Sequence, residues 1–123
     1  MALVVAVFSF SGISCQDKKC KDFKTGTFQA ADEKISDIKI VRNDSIQIET
    51  SEARGFENIY KVIWINDCEY KLVLMSSNES YKTLLSQYDT LNVTITAIEG
   101  DAYQYTAFLK GKQFIGDLVQ VAE

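Results

Sequence analysis

The chain has 123 residues, 46% of them hydrophobic and 24% charged, a balance that fits one folded domain and excludes disorder, coiled coil and collagen. Its 13 Lys and Arg against 17 Asp and Glu leave a net charge of -4, and the cations stand singly among acids, which argues against phosphate-backbone binding and nucleic acid as a partner. Pro and His are both missing, so strand ladders can run uninterrupted while the commonest general base and the commonest metal ligand are gone.

Met1 to Phe10, MALVVAVFSF, is an apolar run that reaches small residues at Ser11, Gly12 and Ser14 just before Cys15. A membrane span needs about 20 apolar residues, so this shorter run reads as an export signal over 1–14. Gly12-Ile13-Ser14-Cys15 resembles a relaxed lipobox, with Gly12 where Leu is usual and no Lys or Arg ahead of the apolar run. The expectation is a lipid on the Cys15 sulfur and a tether over 15–22, with a plain secretory signal as the alternative. Lipid on Cys15 leaves Cys20 and Cys68 to pair as a disulfide, the other reading being two separately buried thiols. A metal site has neither a further Cys nor any His to complete it.

After the polar leader Lys18-Lys19-Cys20-Lys21, the stretch Phe23 to Ala30 alternates in part and carries Thr25, Thr27 and Phe28 as a strand would, and Ala31 to Lys34 interrupts it. Ile35 to Val41 brings Ile38 and Ile40 to one face, Arg42-Asn43-Asp44 reads as a turn, and Ile46, Ile48 and Thr50 resume the same alternation. Two central strands follow, Phe56 to Ile65 and Cys68 to Met75, joined at Asn66-Asp67. Tyr60, Val62 and Trp64 share one face, as do Cys68, Tyr70, Leu72 and Leu74. Ser80 to Tyr88 places Tyr81, Leu84, Leu85 and Tyr88 at helical spacing behind a Ser cap and predicts one short helix. Leu91, Val93, Ile95 and Ala97 alternate with Asn92, Thr94 and Thr96. Tyr103, Tyr105, Ala107 and Leu109 line the next strand, and Phe114 to Val121 closes the set.

Seven or eight strands on short turns predict an all-β antiparallel meander over 23–123. Such a sheet, with no helices to cover it, closes into a small lipocalin-like barrel, or packs as a two-sheet sandwich. A barrel of that size holds either packed side chains or one small apolar ligand. Tyr60, Trp64, Tyr70, Tyr103 and Tyr105 are the candidates to line such a cavity, each bringing a ring and a polar handle; core packing is the competing role.

No catalytic residue is predicted. A Ser or Cys nucleophile has no His beside it, and no GxSxG, HExxH, phosphate-loop or dinucleotide pattern occurs. Acid-base work would have to come from carboxylates, either Asp67 and Glu69 around Cys68 or Asp44 and Glu49 in the preceding hairpin. Acids in turns and on outward faces also serve solubility.

Three segments, CKDFKTGTF at Cys20 to Phe28, IVRNDSIQIE at Ile40 to Glu49 and WINDCEYKL at Trp64 to Leu72, together resemble a family of small uncharacterised lipoproteins of Bacteroidota. The resemblance implies a bacterial cell-envelope address on the outer membrane, at its periplasmic or surface face, and a β-rich domain without an assigned reaction or cofactor. The function expected is non-enzymatic, a tethered barrel that binds a small apolar ligand or a partner protein. A structural subunit docking another envelope protein is the alternative, and a carboxylate-dependent glycan hydrolase the third.

Overall fold

A computed structural model describes residues 17–78 and 89–122. Eight strands follow one another: β1 Gly26–Ala30, β2 Lys39–Arg42, β3 Ile46–Ser51, β4 Phe56–Asn66, β5 Glu69–Ser77, β6 Thr90–Glu99, β7 Ala102–Leu109 and β8 Lys112–Val121. Each pairs antiparallel with the next, and β8 returns to β1 through Thr27 opposite Val121 and Ala30 opposite Leu118. The result is the closed barrel rather than the sandwich, and closure leaves no sheet edge unpaired. The signal over 1–14, Cys15 and the helix over 80–88 fall outside the described residues.

Alternation places most of the core where the pattern predicts. Tyr60 and Val62 on β4, Tyr70, Leu72 and Leu74 on β5, Val93 and Ile95 on β6, and Tyr103, Ala107 and Leu109 on β7 are all buried in one apolar cluster. Three local readings change. The first strand begins only at Gly26, because Cys20–Phe23 coils into a short 3-10 turn. On β6 the register shifts between Ile95 and Ala97, so Ala97 turns outward and Ile98 takes the inward place opposite Tyr103. The third change is the largest: β3 is inside out.

On β3 the buried residues are Gln47 and Ser51, while Ile46 and Ile48 stay outside the core cluster. Ile48 lies directly between Val41 of β2 and Ile59 of β4 on the outer wall, and Val41 is 44% exposed. The alternation of Ile46, Ile48 and Thr50 is real, but it is the outer face that is apolar. What sets the parity is Arg42, which continues the Ile38, Ile40 face by one more step and enters the barrel as the last residue of β2 instead of opening a turn.

The leader seals one end of the barrel, the end that also carries the turns 43–45, 67–68 and 100–101. Asp22 Oδ2 accepts the Lys19 backbone N–H at 2.8 Å and winds the 3-10 turn, which drops Phe23 into the barrel with no exposure. Cys20 bonds to Cys68, S–S 1.98 Å, and so ties the seal to the β4–β5 turn. Closing that loop of 48 residues restricts the unfolded chain and stabilises the fold by about 4 kcal/mol in the chain-entropy account. Beside the seal, Gln120 Nε2 donates to the backbone oxygens of Asp22 at 3.2 Å and Thr25 at 3.1 Å. Gly26 leaves room for that side chain: its φ is +136°, and a Cβ there would stand 2.8 Å from Gln120 Nε2.

Candidate functional site

The barrel interior is polar on the β2–β4 side and apolar on the β5–β7 side. At its centre of charge is Arg42, 2% exposed, from the inward end of β2. Nε donates to Gln47 Oε1 at 2.8 Å, Nη1 to the Phe23 carbonyl at 2.7 Å, and Nη2 to the hydroxyls of Tyr103 at 2.9 Å and Tyr70 at 3.2 Å. Those two hydroxyls are themselves 3.0 Å apart. The flat face of the guanidinium lies 4.6 Å from the Phe28 ring centre and 4.8 Å from that of Tyr70. Every hydrogen bond from this buried cation therefore goes to a neutral oxygen.

Such a site holds its charge through geometry rather than through an ion pair. Burial pulls the Arg42 pKa down, but the hydroxyls of Tyr70 and Tyr103 outweigh it and the net shift is upward, so the guanidinium stays charged. Burial pushes the Tyr70 hydroxyl well above its ordinary range, with Tyr103 adding to the rise and Arg42 opposing it. Burial also raises Tyr105.

Next to Arg42 the interior keeps a cavity of about 80 Å³, walled by Gln47, Glu49, Tyr60, Tyr70 and Tyr105 on its polar side and by Ile40, Leu72, Leu91, Val93 and Leu118 on its apolar side. Glu49 Oε1 accepts from Tyr60 Oη at 3.2 Å and from Asn58 Nδ2 at 3.3 Å. Tyr105 reaches the cavity across Gly116, its register partner, where a Cβ would stand 2.5 Å from the tyrosine hydroxyl. Ligand pockets for drug-sized molecules run to roughly 300–1,000 Å³, so this space takes a few waters and not a lipocalin-scale ligand.

The five aromatic candidates part company. Tyr60, Tyr70 and Tyr105 line the cavity, whereas Tyr103 is buried under Phe23 with ring centres 5.1 Å apart. Trp64 packs on Tyr70 at 4.5 Å, beneath the Lys24 ammonium at 5.3 Å, and its buried Nε1 has no hydrogen-bond partner among the described residues. Trp64 is partly buried against the core and does not line the cavity.

The carboxylates are dispersed as well. Asp67 sits in the β4–β5 turn and bridges Lys24 at 2.9 Å, which holds its pKa below the ordinary carboxylate value, and Glu69 accepts from Asn66 Nδ2 at 2.5 Å. Asp44 is exposed in the β2–β3 turn while Glu49 faces the interior, so the two carboxylates of that hairpin do not meet. Among the described residues no group of three or more His, Cys, Asp and Glu is placed to hold a metal ion. The residues that sequence reasoning missed are Arg42, Gln47, Ser51 and Asn58, all buried. Their signal was present in parity alone, since Arg42 follows Ile40 by two and Gln47 and Ser51 share one face.

No protein-family model, no curated protein and no solved structure matches this chain. The outer surface then becomes the informative part. Thr27, Val41, Ile48 and Ile59 stand in direct cross-strand register, with Val121 on β8 extending the row and Ser76 on β5 opposite Ile59. Val41 is the exposed member, Ile48 and Ile59 are half-buried and Thr27 is buried. Across the barrel the outward residues include Lys71 on β5, Asn92, Thr94 and Thr96 on β6, and Gln104 and Thr106 on β7, among which Ile63, Phe108 and Ile115 stand exposed as single apolar side chains with polar register neighbours.

Proposed function

We propose that the protein is a non-enzymatic, lipid-anchored module of the bacterial cell envelope whose barrel docks a protein partner through the outer wall of β2–β4. The observation that carries the reading is the inverted β3. Inward Gln47 serves Arg42, and the same parity leaves Ile46 and Ile48 half-exposed on the outer wall, where with Val41 and Ile59 they form an apolar row across three strands, the usual mark of an interaction surface. The small interior volume favours a partner over an apolar ligand.

Anchoring is supported by the lipobox-like Gly12-Ile13-Ser14-Cys15, the resemblance to Bacteroidota lipoproteins, and the place where the leader leaves the fold. Lys18 Nζ donates to Gln120 Oε1 at 2.6 Å and bridges Asp101 at 2.8 Å, at the sealed rim next to Val121. Two residues lie between Cys15 and Lys18, so the Cα of a lipidated Cys15 would lie within about 11 Å of that of Lys18.

Two measurements test the reading. Growth with a radioactive fatty acid should label the protein, and Cys15→Ser should remove the label and release the protein from membranes; an unlabelled wild type rejects the anchor. Ile48 is half-buried and Asn92 exposed in the barrel alone, so the purified protein sets the baseline: in intact envelopes the maleimide labelling rate of Ile48→Cys relative to Asn92→Cys should fall at least several-fold below the same ratio for the purified protein. An unchanged ratio rejects docking at this wall.

A further inference from the structure

The outer wall of β2–β4 also carries a charge pattern, and it specifies what could lie on it. We propose that the occupant is a second copy of this chain, stacked about a two-fold axis that runs along the row Val41, Ile48, Ile59. This rests on the docking reading above and names its partner.

The register makes the row straight. Val41 stands opposite Ile48 and Ile48 opposite Ile59, so the three lie on one line perpendicular to β2, β3 and β4. Rotation by half a turn about that line reverses the strand direction and returns each of the three residues onto its own copy, the self-complementary contact that cyclic dimers use. Side chains on the axis meet their own copies end to end, and Val and Ile bring branched apolar ends to that contact.

On β4 the residues flanking Ile59 on the same face are Glu57 and Lys61, both exposed. Neither makes an ion pair among the described residues, where the salt bridges join Lys18 to Asp101, Lys24 to Asp67, Arg54 to Asp37 and Lys110 to Asp89. The same rotation sets Glu57 over Lys61 of the second copy and Lys61 over its Glu57. Opposite charges spaced equally about the apolar centre are what a two-fold contact needs; two like charges at those places would repel their own copies. A flat lipid surface would not select this alternation of sign.

The barrel wall is convex, so only about three strands from each copy can touch, and the contact falls in the small, transient class below roughly 1,200 Å². Self-association is therefore weak in dilute solution. Tethering both copies to one membrane would raise their effective concentration and favour the pair.

The test uses the full chain in intact envelopes. Ile48 lies on the axis, and stacked sheets stand about 10 Å apart, beyond the reach of a direct disulfide, so a short bis-methanethiosulfonate should join Ile48→Cys into a dimer of twice the monomer mass, while Asn92→Cys on the opposite wall stays monomeric. In the Ile48→Cys background, Glu57→Lys should lower the dimer yield about tenfold, and the double exchange Glu57→Lys with Lys61→Glu should restore it. A single charge reversal that leaves the yield unchanged overturns the two-fold arrangement. A thiol that is shielded from maleimide yet forms no dimer, or that links to a chain of different mass, overturns the second copy and leaves the docking wall standing. A thiol that is both monomeric and freely labelled overturns the two together.

Discussion

On β6, Val93 and Ile95 point into the barrel and Asn92 and Thr96 point out; on β3, Gln47 and Ser51 point in and Ile46 and Ile48 point out. Over these residues both strands alternate, and both belong to the same closed sheet. Period-two alternation therefore establishes a half-buried strand without saying which half is buried. On β6 the interior is met by apolar neighbours from β5 and β7, so the apolar face goes in. On β3 the interior is met by Arg42, and a buried guanidinium needs oxygen acceptors more than it needs another Ile.

The contrast can be broken most directly by a matched pair of truncations. Leu74 on β5 is inward and buried, so Leu74→Ala should lower unfolding free energy by about 3 kcal/mol through lost burial and the space left behind. Ile48→Ser removes a side chain of similar size from the outer wall and should cost only about 0.5 kcal/mol in the isolated protein. Urea unfolding of the purified variants measures both. Comparable losses at the two sites would mean that β3 is not inverted in solution.

Next in size is the polar acceptor itself. Gln47→Leu keeps the volume and suits a hydrophobic interior, yet it strips the Arg42 Nε–H of its acceptor at 2.8 Å. It should destabilise by about 2 kcal/mol, the cost of leaving a buried charged donor unpaired. A neutral or stabilising result would show that the inward face of β3 tolerates an apolar residue and that Arg42 does not dictate its parity.

How far the sequence reveals this molecule follows from the same contrast. The strands, their order, the closure into a barrel and the pairing of Cys20 with Cys68 were legible, because alternation, turn residues and an odd cysteine count each bear on them locally. The faces of β5 and most of β7 were legible too, since aromatic and aliphatic residues two apart coincide there with the interior. The polar part of the interior, Arg42, Gln47, Ser51 and Asn58 on β2–β4, was not. Arg42 reads as a turn residue by chemistry, and only the acceptors brought to it from Phe23, Tyr70 and Tyr103, 19, 28 and 61 residues away, make it an interior one. Bulges hide in the same way: Thr96 and Ala97 look like a continuing strand, and the slip that hands the inward place to Ile98 appears only against β7.

The smallest of these effects concerns pH and separates the tyrosine hydroxyls of the sealed end from those of an unfolded chain. Burial raises the folded-state pKa of Tyr70 well above its ordinary 10.0, so its folded and unfolded forms bind protons equally below pH 10 and differently above it. As pH climbs past 10 the unfolded chain ionises first and is favoured, and stability falls with rising pH until the folded pKa is reached. Tyr105 shifts the same way and steepens the loss. Unfolding midpoints in urea between pH 9 and 11.5, read beside the tyrosinate absorbance, check the sign. Tyrosinate appearing in full before any loss of structure would place the Tyr70 hydroxyl in water, and with it would go the neutral-oxygen cradle that holds Arg42 and inverts β3.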